Sequence, residues 1–179
     1  MVQQTNLPIL KNKPKGALKV IISAWLLAGT LDITAAIIYY LLRYEVTSVD
    51  LLQYISSGVF GRNAFAGGIQ MAFLGLLFHY LIALIWTFVF FVILERLKFL
   101  AKNRIATGIA YGIFVSFVMN LFVVPLSKAV HLPFNGMRAI VATLFLIFCI
   151  GLPISAIVAK FYLTIDQSFR KDPSGREIE

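Results

Sequence analysis

Residues 17–42 read ALKVIISAWLLAGTLDITAAIIYYLL, and between Lys19 and the end of this stretch the only charged side chain is Asp32. A helix crosses the hydrocarbon of a bilayer with about 20 mostly apolar residues, at ~1.5 Å of rise each. This run is long enough. Three more of the same kind follow, at about 69–94, 105–126 and 137–163. The second carries His79 near its middle and the third carries Asn120. The pattern predicts an all-α integral membrane four-helix bundle.

The composition agrees. The chain has 179 residues, of which 60% are hydrophobic, and a mean hydropathy of +0.87. That lies outside the range of soluble domains. A net charge of +8 invites a nucleic-acid reading, but the basic residues are not arrayed along one face. Lys11, Lys13, Lys15 and Lys19 precede the first run, Arg96, Lys98, Lys102 and Arg104 lie at or between the second and third, and Lys160, Arg170, Lys171 and Arg176 close the chain. Arg43, Arg62, Lys128 and Arg138 fall on the opposite side. The positive-inside rule then places both termini in the cytoplasm. The basic belt there also suits anionic lipid headgroups. The first run is too long for a cleavable signal peptide and reads as an anchor that stays. The lone Cys149 leaves no intrachain disulfide and no cysteine metal site; neither a metal nor another cofactor is expected, and nucleic acid is not an expected partner.

Between the runs the chain reads as short connections, flanked by a basic cytoplasmic tail at 1–16 and a cytoplasmic tail of mixed charge at 164–179. Asn135-Gly136 reads as a turn before the fourth run. The exception is 48–60. Thr47-Ser48 with Asp50 resembles a helix start. Val49, Leu52, Ile55, Val59 and Phe60 recur at helical spacing, with Asp50, Gln53, Ser56 and Ser57 between them. An amphipathic helix is predicted in the outer interface or dipping into the bundle, either as a passive cap or as a lid over an outward cavity.

Small residues recur every fourth position in the runs. Gly108, Gly112, Ser116 and Asn120 mark one face of the third, with Gly108 and Gly112 forming the close-approach motif of membrane helices. Ala24, Ala28, Asp32 and Ala36 mark the first, and Met71, Gly75, His79 and Ala83 the second. Gly75, Gly108, Gly112 and Ser116 are the expected packing positions. The Gly108/Gly112 face is also a candidate homodimer interface. Pro153 conflicts with the carbonyl of Cys149 four residues earlier, so a kink between Cys149 and Pro153 is predicted.

Asp32, His79 and Asn120 all fall within about 6 Å of their span centres at ~1.5 Å per residue. Their depths let them converge as a buried polar cluster. Such a cluster suits proton-linked movement of a small solute or ion, since ionisable groups kept inside a membrane face protein or water along a pathway. The competing reading is a scaffold or accessory subunit in which the cluster only fixes helix register. Enzyme chemistry has little support: no His-Glu-x-x-His or phosphate-cradling loop is present. A hydrolytic triad of Asp32 and His79 with Ser116 or Ser155 lacks the local context of a nucleophile.

Gly29-Thr30-Leu31-Asp32, Ser57-Gly58-Val59-Phe60-Gly61, Leu76-Leu77-Phe78-His79, Val118-Met119-Asn120 with Pro125, and Phe148 to Pro153 carry a resemblance. With them, the chain from Leu18 to Tyr162 resembles small bacterial four-span inner-membrane proteins of unassigned activity. The resemblance implies a bacterial plasma-membrane location and an all-helical fold. It transfers no catalytic residue.

Overall fold

The computed structural model describes residues 16–130 and 135–170. The tails at 1–15 and 171–179, and the basic residues expected there, lie outside the described residues. Four helices are long and apolar enough to span a membrane: α1 (Ala17–Tyr44), α3 (Gly68–Arg96), α4 (Arg104–Leu126) and α5 (Gly136–Thr164). The final stretch of α5, Leu152–Arg170, runs on beyond that limit. The shorter α2 (Ser48–Phe60) and a 3₁₀ segment (Gly61–Ala66) join α1 to α3. A second 3₁₀ segment, Lys98–Lys102, joins α3 to α4.

Local chemistry sets these boundaries. α1 ends where Glu45 turns left-handed (φ 57°) and its N–H donates to the Leu41 carbonyl. α2 begins with a full capping box: the Asp50 N–H donates to Thr47 Oγ1, and the Thr47 N–H donates to the Asp50 carboxylate. Asn103 caps α4 by accepting from the Ala106 N–H. Asn135 caps α5 by accepting from the Arg138 N–H, so the Asn135-Gly136 pair starts a helix rather than closing a loop turn.

Only 22% of an 18-residue window in each long helix is buried inside the protein. The remainder is a continuous apolar exterior, including Leu126 at 84% and Ile69 at 72% exposure. A soluble protein does not carry patches of that extent; in a bilayer, lipid covers them. This is a multi-pass membrane protein with four spans.

The tightest packing lies toward the end of the bundle away from α2. Ala24, Ala28, Phe90, Leu94, Val115, Ile154 and Val158 form its centre there. α4 and α5 meet backbone to backbone. A Cβ at Gly151 would overlap the Gly108 carbonyl oxygen, and one at Gly112 would come 2.5 Å from Ile147 Cα. The Gly108/Gly112 face is therefore used within the chain, against α5. It is not the free surface that a homodimer interface there requires. Gly75 likewise meets a neighbour's backbone, but that neighbour is α2: a Cβ would overlap the Leu52 carbonyl oxygen.

Two stretches of π-helix interrupt the spans, Met119–Val123 in α4 and Leu146–Gly151 in α5. Each ends two residues before a proline, Pro125 and Pro153. Proline's ring crowds the carbonyl four residues back and removes one donor. Wider i→i+5 turns accommodate both effects. The disturbance expected near Cys149–Pro153 takes this form.

Candidate functional site

The packing stripes position the site. On α1, Ala24 and Ala28 are fully buried, and Asp32 follows one turn further on the same face. On α3, His79 stands between the buried Gly75 and Ala83 at the same spacing. Both stripes open onto one cavity of about 130 Å³. Ile55 of α2, Ile82, Trp86, Val115, Met119, Leu146 and Ile150 complete its walls. Every helix contributes, and Ile55 covers the α2 end.

Asp32 and His79 are half-buried. Among the described residues no charged side chain is buried, and no hydrogen bond or ion pair joins Asp32 to His79. The His79 ring instead donates from Nε2 to the Gly29 carbonyl at 2.9 Å. That carbonyl belongs to α1, so the bond ties α3 to α1 one turn before Asp32.

Asn120 does not join them. It is exposed, and its amide donates to the Ser116 carbonyl at 2.8 Å and to Ser116 Oγ at 3.3 Å. The reason is rotational. Asn120 shares the Gly108–Gly112–Ser116 stripe, which faces α5, whereas Val115 and Met119 supply the cavity wall from α4. The expected buried cluster of Asp32, His79 and Asn120 is thus not formed. Two of its members share a cavity with no hydrogen bond or ion pair between them, and the third bonds back to its own helix one turn earlier.

Neighbouring polar contacts were not anticipated from the sequence. The Trp25 indole donates to the Tyr80 carbonyl at 2.7 Å, and Thr30 Oγ1 and Tyr80 OH pair at 2.8 Å. Gly29 lies beneath the Tyr80 ring, whose nearest carbons are 3.1 Å from where a Cβ would stand. Together with His79, these residues clamp α1 to α3. The Tyr111 hydroxyl donates to the Trp86 carbonyl at 2.5 Å, fixing α4 to α3 at the other end of the cavity. The two serines of the triad reading, Ser116 and Ser155, are engaged elsewhere. Ser116 Oγ pairs with Thr143 Oγ1 at 2.7 Å, and Ser155 Oγ donates to the Arg104 carbonyl at 2.7 Å. Neither lines the cavity. The described residues contain no group of three or more His, Cys, Asp or Glu able to hold a metal.

α2 divides its apolar residues between two sides. Gln53, Ser56 and Ser57 are buried, whereas Val59 and Phe60 are 50% and 39% exposed. The buried polar groups are satisfied: Gln53 Nε2 donates to the Gly68 carbonyl, Ser56 Oγ to Gln53 and Ser57 Oγ to Tyr54. Leu51 and Ile55 face inward beside them, so α2 buries a mixed face whose polar groups are satisfied, as hydrocarbon demands.

Comparison with protein-family models, with curated proteins and with solved structures returns no match for this chain.

Proposed function

We propose that the protein is a proton-linked carrier of a small solute or ion, and that Asp32 and His79 are its working groups. One observation supports this reading: the two ionisable side chains among the cavity-lining residues share an otherwise apolar chamber between spans. Ionisable groups are costly inside a bilayer and characteristically mark ion pathways and proton relays. Asp32 carries the proton, His79 accepts or donates beside it, and α2 is the cap that covers the cavity. The carrier works in the plasma membrane of a bacterium as a homo-oligomer, with both termini cytoplasmic. Anionic headgroups meet its basic cytoplasmic belt. Its contact surface is a face other than that of Gly108 and Gly112.

Reconstitution tests this. Proteoliposomes holding the native chain acidify or alkalinise when a solute gradient is imposed, and Asp32→Asn abolishes the response while the protein stays folded. A native chain that moves no protons with any solute overturns the proposal.

The His79–Gly29 and Trp25–Tyr80 bonds favour a second reading, a scaffold or accessory subunit whose polar groups hold α1 to α3. On that reading Asp32→Asn is tolerated or lowers stability, and neither form moves solute.

A further inference from the structure

The walls of the cavity restrict what it can hold. The Gly29 carbonyl can only accept, so the His79 nitrogen 2.9 Å away carries a hydrogen. With that hydrogen on Nε2, Nδ1 is an acceptor whenever the ring carries a single hydrogen. Asp32 is an acceptor as well, and among the described residues no side chain or backbone group donates a hydrogen bond to it. The remaining lining side chains are apolar apart from the Trp86 indole.

Each alternative class of ligand meets an obstacle. An anion is repelled by Asp32 and finds a single indole donor. A polyol leaves most of its hydroxyls unsatisfied against Ile55, Ile82, Val115, Leu146 and Ile150, which costs free energy for each one. A bare divalent ion needs several oxygen ligands, and Asp32 supplies the one carboxylate among the residues that line the cavity. What fits is a ligand with hydrogens to donate, a positive charge and an apolar body. The volume is close to that of a protein interior cavity that takes benzene, about 150 Å³.

Resting on the carrier reading above, we propose that the cavity takes a small primary amine in its ammonium form, alkyl or arylalkyl. Asp32 is its counter-ion and His79 a second acceptor, while Trp86 supplies the aromatic surface that attracts cations. On that reading the amine is the cargo exchanged for protons.

Three probes of one shape and different charge test the assignment: benzylamine, benzyl alcohol and benzoate. Equilibrium dialysis against the full chain in detergent is expected to show benzylamine bound at least tenfold more tightly than benzyl alcohol, with benzoate unbound. Asp32→Asn is expected to bring the amine down to the level of the alcohol. Where that variant does not fold, the native chain is treated with a lipophilic carbodiimide and its carboxyl adducts are read by mass spectrometry. Bound benzylamine should divert Asp32 from the N-acylurea adduct to the benzylamide, with release of the urea, at amine concentrations that leave the other carboxyls unchanged, and benzyl alcohol should not. Equal binding of amine and alcohol, binding of benzoate, or labelling of Asp32 that the amine leaves unchanged overturns the assignment. The two proposals separate cleanly. Amine binding without proton-linked flux keeps the amine site and removes the carrier; flux driven by neutral solutes, with no amine binding, does the reverse.

Discussion

Gly29 and Gly75 both lie where adjacent helices approach closely, yet a methyl group added at each meets a different obstacle. At Gly29 it meets ring carbons of Tyr80 at 3.1 Å, and a ring can tilt. At Gly75 it meets the Leu52 carbonyl, which cannot yield without moving α2. Gly29→Ala is expected to cost about 1 kcal/mol and Gly75→Ala about 3 kcal/mol, the two ends of the usual overpacking range. Denaturant titration of the detergent-solubilised protein measures both. Thr30→Val removes the pairing with Tyr80 and is expected to cost about 0.6 kcal/mol, typical for such bonds between membrane helices. Gly29 lies outside the stripe of Ala24, Ala28, Asp32 and Ala36, but the need for small residues at Gly75, Gly108 and Gly112 was legible from their spacing. Their partners were not, because spacing specifies a face without saying which neighbour it meets. Asn120 illustrates this: its depth matched that of Asp32, but its stripe points at α5, and Ser116 one turn back satisfies its amide.

α2 shows how far a periodic pattern can be read. The alternation of apolar and polar residues over 48–60, with Thr47 and Asp50 at its start, was sufficient to locate a helix and its cap. Which side faces the bundle depended on the surrounding solvent. Gln53, Ser56 and Ser57 turn inward together with Leu51 and Ile55, while at the depth of Gly75, about 10 Å beyond the start of α3 at ~1.5 Å per residue, lipid receives Val59 and Phe60. Two measurements follow. In a background lacking Cys149, Val59→Cys is expected to be quenched by lipid-attached spin labels when carrying a fluorophore, and Ser57→Cys to resist modification altogether. Thr47→Ala removes the cap and is expected to cost about 1 kcal/mol, seen as faster amide exchange confined to the first turn of α2. The π-helical stretches had a readable sign in Pro125 and Pro153. Their extent depends on which backbone groups neighbouring helices can satisfy, and that is not written locally.

At the scale of the molecule the bundle is uneven. Its dense centre, around Phe90, Leu94, Ile154 and Val158, lies away from α2, while the cavity occupies the half nearer to it. Stability follows contact density. Backbone amides of 87–94 and 152–159 are therefore expected to exchange at least tenfold more slowly than those of 48–60, as read by hydrogen–deuterium mass spectrometry in micelles. Span number was the most legible property of all, because four apolar runs need only be counted. An even number of crossings also predicts that reporter domains fused to either end report the same compartment.

One link crosses that uneven architecture. The Lys128 N–H donates to the Gly58 carbonyl at 2.8 Å, fastening the far end of α2 to the chain leaving α4. Meanwhile α4 is geared to α5 through Gly108 and Gly151, with no side chains between to slip. A swing of α2 away from Ile55's position must therefore break that clasp or drag the α4–α5 pair with it as one block. The chamber has a fixed jamb on that side, and any door must be hung on α1 and α3.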